Sequence, residues 1–150
     1  MPVPPIPPGY RTLTPGCTLV GAAKAIALYQ QVFGAKVRTR LDAPDGSVAH
    51  AELELGDSLL MLGEASADFP AHGARLMMYV PDVDAVFARA VAAGCRVKEP
   101  LTVQFWGDRT GRVADPHGNE WMIATHVEDV SEEEMKRRMA KLYGGPAGNG

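Results

Sequence analysis

A chain of 150 residues, 46% apolar and 22% charged, has the composition of one compact domain and is long enough to bury about 70% of the surface its unfolded form exposes. A net charge of −3 with no polybasic run leaves no electrostatic footprint for nucleic acid or an anionic membrane. The opening has neither the basic nor the apolar region of a signal peptide, and no stretch of about 18 apolar residues follows, so a cytoplasmic protein is expected.

In chain order, residues 1–9 come first as an arm, because Pro2, Pro4, Pro5 and Pro7 favour polyproline II and keep this segment out of a central strand. A strand is expected from Arg11 to Val20. Ala22, Ile26, Tyr29 and Phe33 then recur at helical spacing, with Ala25, Leu28 and Val32 widening the stripe and Gly34 as a left-handed stop. Period-two alternation follows in Lys36 to Leu41, Val48 to Leu55 and Ser58 to Leu62, divided by turns at Ala43-Pro44-Asp45-Gly46 and Gly56-Asp57.

The pattern then repeats sixty residues on, with Val20, Gly34 and Val37 recurring as Val80, Gly94 and Val97. Arg75 to Val80 reads as a strand. Asp82 caps a helix whose apolar face is Val83, Val86, Phe87, Ala90 and Val91, and Gly94 ends it. After Arg96 to Glu99 an irregular stretch is expected through Trp106-Gly107-Asp108-Arg109. Then come Arg112 to Ala114, a turn at Asp115-Pro116-His117-Gly118, and Glu120 to Thr125, with Gly111 and Gly118 read as turn glycines. Ser131 and Glu134 form a capping box for a last helix over residues 131–143, and residues 144–150 are expected to fray.

The fold class expected is therefore α+β. Two βαβββ modules, about 10–65 and 74–127 within one domain 10–130, form a cupped mixed sheet with helices on the outer face, plus a C-terminal helix. Alternation assigns Leu13, Cys17, Leu19, Leu53, Leu55, Leu60, Leu62, Leu76, Met78, Val80, Trp121 and Ile123 to a dry face under the helices. The opposite face mixes Thr12, Thr14, Thr18, His50, Glu52, Glu54, Leu59, Met61, Arg75, Met77, Tyr79, Glu120 and Met122. It suits a concave site, a second interface or simple exposure to water. Cys17 and Cys95 lie in no ligand or redox spacing and read as reduced, buried small residues.

These strings, in order along nearly the whole chain, resemble the vicinal oxygen chelate superfamily of glyoxalases, bleomycin resistance proteins and dioxygenases, and its PhnB-like branch. They are Ile6-Pro7-Pro8-Gly9-Tyr10 leading to Thr14-Pro15, Gly21 to Ile26 ending at Phe33-Gly34-Ala35, Val48-Ala49-His50-Ala51-Glu52-Leu53, Phe105-Trp106-Gly107-Asp108-Arg109, and Asp115-Pro116-His117-Gly118 through Trp121 to Thr125-His126-Val127-Glu128-Asp129-Val130. The resemblance implies a bacterial, cytoplasmic, dimer-forming protein with a cup that takes a small molecule. It also implies one divalent metal held by His or Glu at positions that fall here on Thr14, Met61, Arg75 and Met122. A hydroxyl, two thioethers and a guanidinium are poor ligands for zinc, iron or manganese, so no cofactor is expected there.

Ligand-binding candidates are Met61, Arg75, Tyr79, Trp106, Asp108, Arg109, Glu120 and Met122. An indole beside a guanidinium and a carboxylate can stack a flat molecule and clamp its charge. The same string also suits a structural loop in which Trp106 packs over the cup and Asp108 pairs with Arg109. Arg75 in the cup needs Glu52, Glu54, Glu120 or an anionic ligand as partner. His50 and Glu52 share a strand face and are the candidates for acid-base work or, with Glu120, for a relocated metal. His72, His117 and His126 have no second ligand nearby in sequence. No Gly-x-Ser-x-Gly or phosphate-cradling loop is present. The expected function is metal-independent binding of a small aromatic or anionic molecule, as in drug-sequestering members of the superfamily, and not glyoxalase I activity. The alternatives are a metal-dependent lyase, isomerase or oxygenase with ligands moved to His50 and Glu52, and a homodimer without a ligand.

Overall fold

The computed structural model describes residues 2–144; most of the expected tail, residues 145–150, lies outside the described residues. The first module comprises β1 (Gly16–Leu19), α1 (Ala22–Phe33), β2 (Lys36–Asp42), β3 (Val48–Leu55) and β4 (Ser58–Glu64). The second comprises β5 (Arg75–Tyr79), α2 (Val83–Ala92), β6 (Arg96–Val103), β7 (Asp108–Ala114) and β8 (Glu120–His126). Helix α3 (Glu132–Met139) follows and ends in a π-turn, Ala140–Gly144. The strands form two four-stranded mixed sheets of the same order, β1-β4-β3-β2 and β5-β8-β7-β6. In each, the first strand runs parallel to the last and the other pairs are antiparallel. A single bridge, Thr18 to His72, ties β1 to the linker.

Local chemistry sets the helices. Gly34 closes α1 at φ 67°, where a side chain would be strained, and the Asp82 carboxylate accepts from the Ala85 amide at the start of α2. Ser131 caps α3 through the Glu134 amide. Helix α1 brings no capping side chain of its own. Instead Glu64, at the end of β4, accepts from the amides of Gly21 and Ala22 at 2.9 and 3.0 Å, placing a negative charge on the positive helix end.

Both helices and the dry faces of both sheets share one core. Tyr29 and Phe33 of α1 reach across to Trp121 of β8, with ring centroids 5.2 and 4.6 Å away. Aromatics of this size bury about 150–250 Å² each, so these rings contribute substantially to joining the modules. Beneath them Asp115 accepts from the Tyr29 hydroxyl, Trp121 Nε1 and the amides of His117 and Asn119. Every oxygen of this buried carboxylate therefore has a partner, as its burial requires. Cys17 and Cys95 are buried and free.

Four expectations need correction. Leu13, assigned to the dry face, precedes β1 and is 85% exposed, because Pro15 holds residues before Gly16 out of the sheet. The irregular stretch after Glu99 is instead two continuous strands, β6 and β7, joined by a tight turn at residues 104–107. Pro100 is accommodated because β6 is an edge strand. Gly111 is a mid-strand residue of β7, where the Phe87 ring of α2 lies 2.5 Å from the place a Cβ would take. Val91 stays 41% exposed, so the buried stripe of α2 narrows to Val83, Val86 and Ala90, with Phe87 partly buried. Among the described residues no helix is long and apolar enough to cross a membrane.

Candidate functional site

Strand order decides where the candidate side chains meet. Antiparallel pairing of β7 with β8 sets Asp108 opposite His126, and β5 lies on the other side of β8. The side chain of Asp108 is 2% exposed. Its carboxylate accepts from the Tyr79 hydroxyl at 2.7 Å, from Trp106 Nε1 at 2.9 Å and from His126 Nδ1 at 2.7 Å. His126 Nε2 donates in turn to Asp129 at 2.7 Å. An imidazole between two carboxylates donates from both nitrogens only as imidazolium.

The acid-base character of the cluster follows from these contacts. Burial pushes the Asp108 carboxyl up, but the hydrogen bonds from His126, Tyr79 and Trp106 outweigh it and hold the group below the usual carboxylate range. Hydrogen bonds to Asp129 and Asp108 raise His126 above the ordinary imidazole value. The bond to Asp108 raises Tyr79, so its hydroxyl stays protonated at neutral pH. Burial raises the Cys17 thiol and pushes Cys95 up to about 11, which leaves neither as a thiolate nucleophile.

Tyr79 also faces a cleft of about 630 Å³. Leu13, Leu59, Met77, Tyr79 and Pro81 are among its apolar lining residues, and Arg11, Asp57 and Ser58 among its polar ones. The volume lies within the range of sites for small organic molecules. Tyr79 is 60% exposed and Met77 47%, so both offer apolar surface to a guest.

The expected binding residues divide among three places. Tyr79, Trp106 and Asp108 converge in one cluster. Arg109 does not join them: it turns away to Asp84 of α2, with contacts of 3.0 and 2.8 Å, so the expected Asp108–Arg109 pair is replaced by Arg109–Asp84. Successive residues of a strand point to opposite faces, and Asp108 and Arg109 are the first two residues of β7. Arg75 and Glu120 pair at the other end of the second sheet at 3.2 Å, with Met122 one row inward beside Met77.

Met61 and Glu52 lie instead on the first sheet, with Thr14 just before it, around a shallow hollow next to the arm residues Ile6, Pro7 and Tyr10. Arg38 stacks over the Tyr10 ring there, 5.1 Å from its centroid. His50 Nε2 and Glu52 lie 3.1 Å apart on β3. Glu120 belongs to the other sheet and is engaged by Arg75. The His50, Glu52 and Glu120 set expected for a relocated metal is therefore not assembled.

The donor chemistry at Thr14, Met61, Arg75 and Met122 does not fit a divalent metal. These side chains supply one hydroxyl, two thioethers and a cation, and Arg75 is already directed at Glu120. Among the described residues no three His, Cys, Asp or Glu side chains are grouped as a metal site would need.

His126 and Asp129 were not identified as site residues from the sequence. The signal that would have found them is strand register, which pairs residues 108 and 126 across β7 and β8.

Comparison with known proteins gives these findings. The family model described as Glyoxalase/Bleomycin resistance protein/Dioxygenase superfamily matches residues 21–123. The uncharacterized Mycobacterium bovis protein Mb0911c is 34% identical over 139 residues, covering 85% of this chain and 91% of that protein. Among solved structures, TioX from Micromonospora sp. ML1 aligns with a TM-score of 0.66 and 26% identity, over 78% of this chain and 99% of its own. TnmS3, an antibiotic binding protein from Streptomyces sp. CB03234, aligns at 0.62 and 22% identity, over 77% and 95%. A PhnB protein from Bacillus cereus aligns at 0.60 and 19% identity, over 77% and 99%.

Proposed function

This chain belongs to the glyoxalase/bleomycin resistance protein/dioxygenase superfamily, and we propose that within it the protein binds a small aromatic or anionic molecule without a metal. The observation that carries this reading is the double position of Tyr79. Tyr79 lines the apolar cleft, and its hydroxyl is fixed by the buried carboxylate of Asp108. A ring held in one orientation costs less entropy when a flat guest stacks on it. Trp106 donates to the same carboxylate, which brings a second aromatic side chain to the Tyr79 hydroxyl.

The chemistry of the cluster favours holding over turnover. Both nitrogens of His126 are engaged by carboxylates, so neither is free to take a proton from a guest. Tyr79 and the two thiols remain protonated at neutral pH. That TnmS3, with the same fold, is an antibiotic binding protein supports the reading as a precedent. The proposal includes a homodimer, in which parts of the mixed sheet faces are covered by a second copy.

Fluorescence tests it. Trp106 and Trp121 are the chain's two tryptophans, and Trp121 is buried. Titration with 1-pyrenebutanamide, a neutral flat probe, is expected to quench Trp106 saturably at one probe per chain, and Tyr79→Ala is expected to weaken binding about tenfold or more. Non-saturable quenching, or an unchanged affinity in Tyr79→Ala, contradicts the reading.

A further inference from the structure

The second sheet bears an excess of positive charge at the end away from Asp108. Register places Arg75, Glu120, Ala114 and Arg96 in one cross-strand row, and directly opposed residues project to the same side of a sheet. Glu120 is shared. It accepts from Arg75 Nε at 3.2 Å and lies 3.6 Å from Lys98 Nζ and 4.0 Å from Arg112 Nη1. The other carboxylate here, Glu99, is 3.6 Å from Arg112 Nε.

Arg75, Lys98 and Arg112 therefore share Glu99 and Glu120, and Arg96 stands at the end of the same row. These acids do not saturate the donors: Arg112 Nε is buried without a hydrogen-bond acceptor, and the Arg75 side chain keeps 77% of its surface exposed. Such a cluster has net charge, and its exposed Arg75 guanidinium has free donors, to offer an incoming anion. The next row inward is Met77 beside Met122, and the row beyond holds Tyr79.

We infer that this face binds an amphiphilic organic carboxylate, with the acid group at Arg75 and Lys98 and a flat apolar body lying over Met77 and Met122 towards Tyr79. Four steps of extended strand lead from Arg75 to Tyr79, a span of about 13 Å. A fused aromatic ring system with a short acid tail has that length. Thioethers give its body a soft, adaptable floor. The inference rests on the small-molecule reading of the Tyr79 cleft and names the class of ligand for it.

The test compares 1-pyrenebutyrate with the neutral 1-pyrenebutanamide by fluorescence anisotropy on the full chain. The acid is expected to bind about tenfold more tightly, the scale of one charge-assisted hydrogen bond, with the preference shrinking as salt is raised. Arg75→Gln is expected to remove the preference by weakening acid binding far more than amide binding, and Lys98→Gln to reduce it. Both side chains are solvent-accessible, so thermal melts of the variants should match the parent. Equal affinity for acid and amide, or a preference that survives Arg75→Gln, overturns the carboxylate site and leaves the binding reading standing. Failure of both probes to bind overturns that reading and this inference with it.

Discussion

Asp108 shows how one buried carboxylate organises its surroundings and how that arrangement responds to pH. His126 is raised by hydrogen bonds to Asp129 and Asp108, so its stabilising contribution is fully present below the ordinary imidazole value near 6.5 and is lost as pH rises through its folded value. Asp108 is lowered by its hydrogen bonds against the pull of burial, so its contribution is present above the ordinary carboxyl value near 4 and is lost as pH falls through its folded value. The two overlap between about pH 4 and 6.5. Asp108→Asn is expected to destabilise the protein by about 2 kcal/mol in that window, because charge-assisted hydrogen bonds become neutral ones. The gap between wild-type and variant melting temperatures should be widest near pH 5–6 and narrower by pH 9; a gap independent of pH speaks against the ionic pairing. Sequence reading grouped Trp106 with Asp108 in one string but could not join Tyr79 to them, since the bond that does so spans 29 residues. It left His126 aside for the same reason.

Among the elements, the β6–β7 hairpin was the least legible and carries Trp106 and Asp108. Pro100 and Gly111 look like breakers in a sequence. Here Pro100 occupies an edge strand and Gly111 makes room for Phe87, so both strands run on. The turn between them depends on Gly107, at φ 100°, whose carbonyl accepts from the amides of Val127 and Glu128. A Cβ at this position would lie 2.0 Å from the Glu128 carbonyl oxygen. Gly107→Ala is therefore expected to destabilise by more than about 2 kcal/mol, since positive φ and a backbone clash act together. It should also weaken 1-pyrenebutanamide binding by displacing Trp106. Denaturant unfolding and the same fluorescence titration check both; wild-type stability would mean that the turn is not held by this contact. The caps at Gly34, Asp82 and Ser131 were readable because each lies beside its own helix. The Glu64 cap of α1 was not, since it arrives from a strand more than forty residues away.

At the scale of the whole molecule, the sixty-residue repeat made the paired βαβββ fold legible, and the family follows from it together with the strings that carry the resemblance. The site was less legible, because a face assignment by alternation cannot say which sheet a residue belongs to. The residues grouped as one cup are spread over the arm-side hollow of the first sheet and the two ends of the second. What unites the second sheet is a gradient along one face, from the basic end at Arg75 through the methionines to the aromatic cluster on Asp108. The donors at Thr14, Met61, Arg75 and Met122 do not suit a metal, and the proposed binding to this face needs none. Calorimetric titration of 1-pyrenebutyrate into untagged protein from metal-supplemented medium, before and after exhaustive treatment with a chelator, tests this most directly. One site per chain with the same affinity in both samples is expected. Binding that disappears with the chelator and returns with added zinc or manganese would contradict it.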